Sequence, residues 1–361
     1  IIWELSADNI ESRMSSYFNL TKDIIDTAWQ ISFVACGRGS SGGFLINYLV
    51  DITQIDPIKF NLWEQRFLNL SRKGAGELPD IDNDFCPEKI PFIIELLREK
   101  YGQAKVLKTL AIKTMTLKAA VIAAMRGLGL NNDESQELAA MVPSVRGKTY
   151  TLAQCIKEKE KKDLVPVPQF VEALKKYDGL YEAVEKIEGL WCGRSQHASS
   201  VYVFSGEEGY LEHNCLLRSP NGTPTTAFDM QASDKLGALK EDLLSTEAQS
   251  KIQKCISLLL EDGQIEWKGS LRETYNAYLH PDVLVYDDPK MWDAMAEGKI
   301  PSLFQMDSTM GRVAMQKIHP NTVAELGLTN DTMRLTAEKD QASPIVRYVL
   351  FKNDPTAWDR E

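Results

Sequence analysis

Three aspartates occupy alternate positions in a short apolar stretch, LPDIDNDF, which runs from Leu78 to Phe85. Side chains at every second position of a β-strand point to the same face, so this spacing predicts that Asp80, Asp82 and Asp84 share one face of a strand. Three ionised carboxylates in that arrangement repel one another unless a cation or ample water offsets their charge. The stretch therefore predicts a cation site on a strand, with a solvated loop as the simpler alternative.

The residues that follow the aspartates indicate which cation fits. Alternating aspartates also open the calcium loop of an EF-hand, but Phe85 stands where that loop needs a turn glycine and Pro91 where it needs a bidentate glutamate. Mg²⁺ instead prefers carboxylates, water and substrate phosphates, and two such ions about 4 Å apart can support phosphoryl transfer. The aspartates therefore predict a magnesium site that serves phosphoryl transfer.

A glycine-rich segment, GRGSSGG (residues 37–43), precedes the aspartates. It lies between a strand-like stretch, WQISFVAC (29–36), and a helix-like stretch, FLINYLV (44–50), so its backbone N–H groups can bind a phosphate at a helix N-terminus. The letters also fit the G-x-G-x-x-G pattern of dinucleotide folds, but no convincing second strand ending in an acid follows, and the G-K-[ST] of a Walker loop is missing. A phosphate-binding Gly-Ser turn fits best; a plain strand-to-helix turn and a dinucleotide site remain alternatives.

A phosphate-binding turn followed by a carboxylate strand suggests a nucleotidyltransferase. Such a site usually takes one more carboxylate from a neighbouring strand. The stretch LGALKEDLL (residues 236–244) offers Asp242 in an apolar setting, with Lys240 two positions before it. We therefore expect Asp242 to join Asp80 and Asp82 at one site.

Charge is distributed unevenly along the chain. The 361 residues carry a formal net charge of −10, which argues against a protein that coats nucleic acid with its whole surface. Residues 101–132, however, contain no Asp or Glu. We predict that this segment is helical and follows a DNA backbone, while an ordinary solvated helix face is the alternative. Its cations are Lys105, Lys108, Lys113, Lys118 and Arg126.

Patterning and composition indicate the fold class and the compartment. The stretch PEKIPFIIELLREKYG (87–102) predicts a helix that ends at Gly102. Helical patterns run from Gly102 to about residue 190, a strand signal returns at SSVYVFSG (199–206), and helices dominate after Asp242, which predicts an α+β fold with a helical insertion. No apolar run approaches the roughly 20 residues of a membrane span, and the six cysteines lack metal-site spacing. We therefore expect a cytoplasmic protein with reduced thiols and no membrane partner.

Four motifs follow one another within residues 37–86: GRGSSGG, DITQIDPIKF, EQRFLN and LPDIDNDFC. In this order they resemble the catalytic palm of C-family DNA polymerases, the family of the bacterial replicative DNA polymerase III alpha subunit. Further similarity, from KTMTLKAAV to SLFQMDSTMGRVAMQKIHP, extends over nearly the whole chain. The resemblance implies a nucleotidyltransferase-type palm with a mixed sheet, a helical thumb insertion and helical fingers. The implied boundaries are 1–102 and 194–247 for the two parts of the palm, 103–193 for the thumb and 248–361 for part of the fingers.

The resemblance also implies roles for individual residues. It matches Asp80, Asp82 and Asp242 to catalytic residues that hold two Mg²⁺ ions, for which Mn²⁺ can substitute. Asp84 matches a supporting residue of the same motif. The residues matched to contacts with the incoming nucleotide are Gly39, Ser40, Arg66, Arg72 and Lys240.

The activity implied by the resemblance is that of a template-directed DNA polymerase, which adds deoxynucleotides to a primer 3′ end. Its partners would be primer–template DNA and deoxynucleoside triphosphates, with a sliding clamp and other replisome proteins bound through regions outside this chain. The basic segment would follow the duplex in the thumb. A template-independent nucleotidyltransferase and a catalytically silent replisome subunit with the same fold remain alternatives.

The chain departs from the family pattern in two places. After HPNTVAELGL the R-P-G-P-like fingers motif does not follow, and the family's N-terminal phosphoesterase-like domain has no counterpart in the sequence. We therefore expect either a fragment or a reduced, divergent polymerase of the kind a phage carries, active in a bacterial cytoplasm or an infected host cell.

Overall fold

The chain forms two compact units in the computed structural model. Residues 1–102 and 241–361 form the outer unit, and residues 103–240 form the inserted unit. Both contain helices and strands, which confirms the predicted α+β class. The residues that the structure describes are 14–69, 79–145, 148–156, 165–204, 216–218, 223–229, 232–233, 239–335, 342–354 and 356–357.

The secondary structure of the described residues is mostly helical. The α-helices, in chain order, are α1 (Met14–Ala28), α2 (Leu45–Leu49), α3 (Ile90–Tyr101), α4 (Leu117–Gly127), α5 (Asn132–Ala140), α6 (Leu152–Ile156), α7 (Pro168–Lys175), α8 (Leu180–Ile187), α9 (Glu247–Glu261), α10 (Leu271–Tyr278), α11 (Pro289–Ala296), α12 (Thr309–Ile318), α13 (Val323–Arg334) and α14 (Pro344–Asn353). The β-strands are β1 (Asp82–Phe85), β2 (Val106–Thr114), β3 (Ser144–Val145), β4 (Lys148–Thr149), β5 (Trp191–Val203), β6 (Leu216–Arg218), β7 (Pro224–Thr226) and β8 (Leu239–Ser245).

Helix α1 lies against the segments that carry the glycine-rich turn and the EQRFLN motif. The ring of Phe18 in α1 lies 5.8 Å from the ring of Phe44, which follows the turn, and 6.4 Å from the ring of Phe67. Phe44 and Phe67 are themselves 5.0 Å apart, and all three rings are buried. Aromatic pairs at these distances add to the burial energy, so the cluster fixes both motifs on one helix.

Strands β1 and β8 pair in parallel, with the inserted unit between them in the sequence. Parallel pairing needs a long crossover connection, and the inserted unit supplies one. Asp82 lies opposite Asp242 in this register, and Val34 adds an isolated antiparallel bridge to Phe85. Pairing with two segments therefore holds β1 in place.

The strand predicted over LPDIDNDF is confirmed for its second half. β1 begins at Asp82, so Asp80 precedes the strand. A clean alternation of inner and outer faces is wrong, because Asn83, Asp84 and Phe85 are all buried. Asp80 is exposed, Asp82 is half-buried and Asp84 is buried, so the three aspartates occupy three different environments.

The buried strand predicted over WQISFVAC is wrong. Helix α1 runs to Ala28, a turn follows, and strand-like pairing is limited to the bridge at Val34. Side chains satisfy the nearby backbone instead: Phe33 N–H donates to the Gln253 side-chain carbonyl (2.8 Å), and Ser32 Oγ accepts from Cys86 N–H (3.2 Å). The apolar run correctly predicts that this segment is buried. Among the described residues, however, no neighbouring strand pairs with it beyond the bridge at Val34.

Three other predicted elements are confirmed. FLINYLV contains α2, and PEKIPFIIELLREKYG contains α3, which ends before Gly102 at a φ of 104°. The first five residues of SSVYVFSG form the end of β5. In each case the local pattern and the tertiary partners favour the same structure.

The inserted unit combines a sheet with a helical group. β2 pairs antiparallel with β5 and parallel with β7, and β7 pairs antiparallel with β6. Helices α4 to α8 enclose a separate apolar core, whose fully buried members include Val121, Phe170 and Leu180.

The helix predicted over residues 101–132 is wrong in its first half. Val106–Thr114 form β2, and the helix begins only at Leu117, after Thr116 accepts a capping hydrogen bond from Ala119 N–H. The apolar residues of this segment suit either structure, since both faces of the first half of β2 are buried. Antiparallel pairing with the long strand β5 stabilises the strand conformation of Val106–Thr114.

Among the described residues, none of the helices combines the length and the apolar character that a membrane span requires.

Candidate active site

The centre of the candidate site is a pair of aspartates on adjacent strands. Asp82 on β1 and Asp242 on β8 are direct partners in a parallel register, so the structure brings together two residues that are far apart in the sequence. Neighbouring strands lie about 4.8 Å apart, which places opposed side chains on the same face within reach of one ion. Asp82 is half-buried, and Oδ1 of Asp242 is shielded from solvent.

Asp80 stands at the exposed edge of this pair, on a backbone that Tyr17 fixes from both sides. The Tyr17 hydroxyl donates to the carbonyl of Pro79 (2.8 Å) and accepts from the N–H of Ile81 (3.1 Å). Burial, followed by the charge of Glu241, raises the pKa of Tyr17 far above its usual range, so the hydroxyl stays protonated and can donate. Asp80 itself is exposed. Its position is therefore set by its backbone neighbours.

The electrostatics of Asp82 reflect the crowding of carboxylates. Burial raises the pKa of the Asp82 carboxyl above its ordinary value, and the negative charge of Asp242 raises it further. The Arg38 guanidinium lowers this pKa, while the charges of Asp80 and Asp84 raise it. Raised pKa values among clustered carboxyl groups in a partly buried site are typical of functional sites and of cation sites in particular.

The glycine-rich turn lies against Asp82. Gly39 has a φ of 60°, a left-handed conformation, and a Cβ placed there would lie 3.9 Å from Oδ2 of Asp82. Glycine thus serves both the backbone conformation and the open space beside the carboxylate. Ser40 follows and precedes a short 3₁₀ turn, Ser41–Gly43. The two predicted phosphate-binding positions, Gly39 and Ser40, are accordingly next to the predicted metal-binding strand.

Hydrogen bonds within the turn hold its shape. The Ser41 hydroxyl donates to the Arg38 carbonyl (2.7 Å), and Gly43 N–H donates to the Ser40 carbonyl (3.1 Å). The buried amide of Asn47, on α2, donates to the Ser41 carbonyl (2.9 Å). The turn is therefore formed before any phosphate binds, so binding has a smaller ordering cost.

Asp84 links the turn to both strands. Its Oδ1 accepts a charge-assisted hydrogen bond from Nη1 of Arg38 (2.7 Å) and a second bond from the Thr246 hydroxyl at the end of β8. The Asp84 side chain is only 4% exposed, whereas that of Arg38 is 34% exposed. The ring of Phe304 lies 5.8 Å from the Arg38 guanidinium on another side. Asp84 thus has the geometry of a supporting residue whose acceptor oxygen is already bonded to protein donors.

The other predicted nucleotide contacts are spread over separate segments of the chain. Arg66 is exposed in a short 3₁₀ turn, Glu64–Arg66, directly before the buried Phe67. Lys240 lies in β8 two positions before Asp242, at the last residue of the inserted unit. Arg72 lies outside the described residues.

The predicted DNA-binding cations do not form one helical face. Lys105 precedes β2, Lys108 and Lys113 lie in β2, and Lys118 and Arg126 lie in α4. Lys113 and Arg126 are exposed, whereas Lys108 Nζ donates to the Ala198 carbonyl (3.4 Å). The single basic helix is therefore wrong, because its first three cations belong to a strand region.

The donor atoms at Asp82 and Asp242 suit a divalent cation. Within the described part of the chain, no group of three or more His, Cys, Asp or Glu side chains is arranged to hold a metal ion. Mg²⁺ is usually bound by one or two carboxylates together with water and substrate phosphates, and does not need a cage. Two opposed carboxylates beside an open glycine turn fit that description.

The chain also matches known proteins. Residues 4–245 match the family model described as the bacterial DNA polymerase III alpha NTPase domain, which covers more than half of the chain. The chain belongs to this polymerase family.

Relatives within the DNA polymerase III alpha family include phage and bacterial proteins. A probable DNA polymerase, YorL, of Bacillus subtilis and a DNA-directed DNA polymerase of Bacillus phage SPbeta are each 38% identical over 365 residues, which cover 100% of this chain and 27% of the relative. The DNA polymerase III subunit alpha of Thermus aquaticus is 29% identical over 314 residues, 86% of this chain and 24% of the relative. The chain therefore spans about a quarter of the length of these curated relatives.

Sequence reasoning missed several residues that organise the candidate site. Arg38 stands inside GRGSSGG, so its place within that motif was an available signal. Tyr17 gave no signal, because 62 positions separate it from Pro79. The same holds for Thr21, whose hydroxyl donates to the buried Glu241 (2.8 Å) across 220 positions.

Proposed function

We propose that this chain is the catalytic core of a template-directed DNA polymerase, which adds deoxynucleotides to the 3′ end of a primer. The observation that carries the proposal is the register of Asp82 with Asp242, beside a glycine turn that leaves space next to Asp82. Membership of the polymerase III alpha family and the names of the relatives support the same activity.

The carboxylates have the first role in this proposal. Asp80, Asp82 and Asp242 hold two Mg²⁺ ions, for which Mn²⁺ can substitute. When bound, these ions favour the ionised primer hydroxyl and offset the charge of the leaving pyrophosphate. The three carboxylates would hold these ions, and Asp84 keeps Arg38 and the turn in position.

The glycine turn and the cations have the second role. The N–H groups at Gly39 and Ser40 donate to the triphosphate, and a turn already fixed by hydrogen bonds does so without reorganising. Arg66, Arg72 and Lys240 neutralise the remaining phosphate charge. The nucleotide thereby lies between the turn and the carboxylate pair.

We assign the palm to residues 1–102 and 194–247, the thumb to 103–193 and part of the fingers to 248–361. In this scheme the cations between Lys105 and Arg126 bind the duplex backbone, now from a strand and a helix. The substrates are primer–template DNA and deoxynucleoside triphosphates, and the setting is a bacterial cytoplasm or an infected host cell. A sliding clamp and other replisome proteins would bind through parts of the longer relatives that this chain does not span.

The test is primer extension with each deoxynucleotide supplied separately, with and without template. We expect incorporation of the templated nucleotide, and a loss of about 10³-fold in rate in Asp82→Asn and Asp242→Asn, because each removes several kcal/mol of charge stabilisation. Asp293→Asn, an exposed aspartate of α11, is the matched control and keeps the wild-type rate.

Three outcomes would contradict the proposal. Near-normal primer extension by Asp82→Asn would show that Asp82 is not a catalytic residue. Equal extension without template would favour a template-independent nucleotidyltransferase. A folded chain that neither extends a primer nor binds Mg²⁺ and nucleotide would favour a catalytically silent subunit.

A further inference from the structure

The inserted unit has a cavity that the proposed catalytic site does not use. It measures about 520 Å³ and is formed by β2, β5 and the segment that follows β7. Leu110 and Ile112 of β2 line it, together with Trp191 and Arg194 of β5 and Phe228 after β7. Cavities of about 300–1,000 Å³ with apolar walls and a few polar groups are the usual size for bound organic ligands.

Two large aromatic side chains of this cavity are exposed to solvent. Trp191 is 76% exposed and Phe228 is 41% exposed. Trp191 is nevertheless placed by backbone pairing, since it lies opposite Thr114 in the ladder between β2 and β5. Trp191 is thus fixed by a strand while its ring remains exposed to water. Covering such a ring with a flat apolar surface lowers the free energy, because apolar area is removed from water.

The segment that carries Phe228 is also fixed before any ligand binds. The Thr226 hydroxyl donates to the Phe228 carbonyl (2.9 Å) and accepts from Leu110 N–H (3.0 Å), which attaches the segment to β2. Asp229 is the acidic residue among the described residues of the lining, and it accepts from Ala232 N–H (3.0 Å). Its carboxylate is thus occupied in holding the turn, and the aromatic wall has little freedom to lose on binding.

The charge around the cavity favours an anionic ligand. Arg194 lines the cavity, is exposed and lies opposite Ile112 in the ladder. Residues 101–132, which include all of β2, contain no Asp or Glu. Aromatic faces combined with cations are the chemistry that binds single-stranded nucleic acid, where bases stack and phosphates meet Arg or Lys.

We propose that this cavity binds one unpaired base of single-stranded DNA. The base stacks on Trp191 and Phe228, and Arg194 contacts the adjoining phosphate. A base within a duplex cannot enter, because its faces are already stacked. The choice of DNA as the ligand rests on the proposed polymerase function, whereas the cavity and its chemistry stand on the contacts above.

The experiment compares two fluorescent oligonucleotides of equal length and charge, one of thymidines and one of abasic residues, by anisotropy at fixed salt. We expect the wild type to bind the thymidine strand about 5- to 100-fold more tightly, as for stacking of a single base. The quantity compared is the ratio of the affinity for the thymidine strand to the affinity for the abasic strand. Trp191→Ala should lower this ratio to near 1, and Trp191→Phe should leave it close to the wild-type value. Arg194→Gln should weaken both oligonucleotides by a similar factor. Trp267→Ala, which removes another exposed tryptophan, is the control and keeps the ratio.

The ratio separates the proposal from simple charge attraction. Equal binding of the two oligonucleotides by the wild type would overturn it, as would an unchanged ratio in both Trp191→Ala and Phe228→Ala. The retained ratio of Trp191→Phe guards against a variant that merely fails to fold. Tighter binding of a matched RNA would overturn the choice of DNA.

Primer extension by the same wild-type preparation tests the underlying function separately. Extension without a base-dependent ratio contradicts only the cavity proposal. A base-dependent ratio without extension contradicts the polymerase function and leaves the stacking chemistry intact.

Discussion

Strands β1 and β8 of the outer unit bring two aspartates face to face, and the side chains around them are bonded to one another. Strand β2 of the inserted unit carries cations, and its exposed Lys113 extends into solvent. The difference follows from burial: a buried carboxylate such as Asp84 must have bonded partners, whereas an exposed lysine is satisfied by water. Precise geometry is therefore expected at the acidic site and adaptable, salt-sensitive contacts at the basic surface.

The largest effect is expected where the acidic network is cut at its buried member. Asp84→Ala removes the acceptor shared by Arg38 and Thr246, and should lower the free energy of unfolding by about 2–3 kcal/mol, a buried ion-pair loss reduced for the partial exposure of Arg38. Urea denaturation followed by circular dichroism measures it. Asp84→Asn, which keeps an acceptor oxygen, should lose less. A loss below 0.5 kcal/mol in Asp84→Ala, about the scatter of surface substitutions, would show that the network is no tighter than a surface pair.

Two glycines with similar backbone conformations allow the next test. Gly39→Ala and Gly263→Ala both place a side chain at a positive φ, 60° and 70°, and each should cost about 1 kcal/mol of stability. A Cβ at Gly39 lies beside Asp82, whereas nothing lies within 4 Å of one at Gly263. Only Gly39→Ala should slow primer extension, by about 10- to 100-fold, because its methyl group would occupy the space beside Asp82 in which the proposed function places the triphosphate. Equal primer-extension rates for the two variants would show that the glycine turn has no role in the reaction.

The pH dependence of stability tests the repulsion between the aspartates. The folded pKa of Asp82 is raised above its unfolded value, so the folded state holds this proton more tightly, and the resulting stability is present at low pH and lost as pH rises through the folded pKa. Without divalent cations, Asp82→Asn should therefore be more stable than the wild type at pH 7, with the difference vanishing near pH 3. Thermal melts in EDTA measure this, and added Mg²⁺ should reduce the difference. A destabilised variant at pH 7 would show that attraction, and not repulsion, dominates at Asp82.

The smallest effect is expected on the basic surface. If Lys113 binds a DNA phosphate, Lys113→Ala should lower the slope of log affinity against log salt by about 1 and leave the free energy of unfolding unchanged. Titrations of primer–template DNA at several salt concentrations give the slope. Lys254→Ala, which removes an exposed lysine of α9, is the control with an unchanged slope. An unchanged slope for Lys113→Ala as well would remove this lysine from the DNA-binding surface.

Local patterns predicted some of this structure and could not predict the rest. The strand at Asp82–Phe85 and the helix at Ile90–Tyr101 were accessible because periodicity, turn residues and burial agree there. The segment Val106–Thr114 was misassigned as helix because its apolar spacing fits both structures, and only its pairing with β5 distinguishes them. That pairing joins residues far apart in the sequence, so the pattern within about ten or fifteen consecutive residues cannot indicate it.

The candidate site shows the same division. The prediction that Asp80 and Asp82 bind a metal followed from their spacing. Asp242 was a candidate because of its apolar setting beside Lys240, and the family resemblance supported it, but neither observation could give its register opposite Asp82. The hydroxyl contacts of Tyr17 and Thr21 join residues that the sequence separates widely, so nothing short of the fold could reveal them. Arg72 and the remaining roles of the nucleotide-binding cations stay predictions.

The parallel pairing of β1 with β8 also determines how late in translation the candidate site can form. A ribosome that has just completed β1 must add roughly 160 residues before Asp242 is made, which takes about 8 to 31 seconds at about 5–20 residues per second. During that interval the nascent chain displays Asp80, Asp82 and the glycine turn without their partner strand. A message that is cut or stalled anywhere in the inserted unit therefore yields a product that contains Asp80 and Asp82 but not Asp242, and so lacks the paired strands of the candidate site.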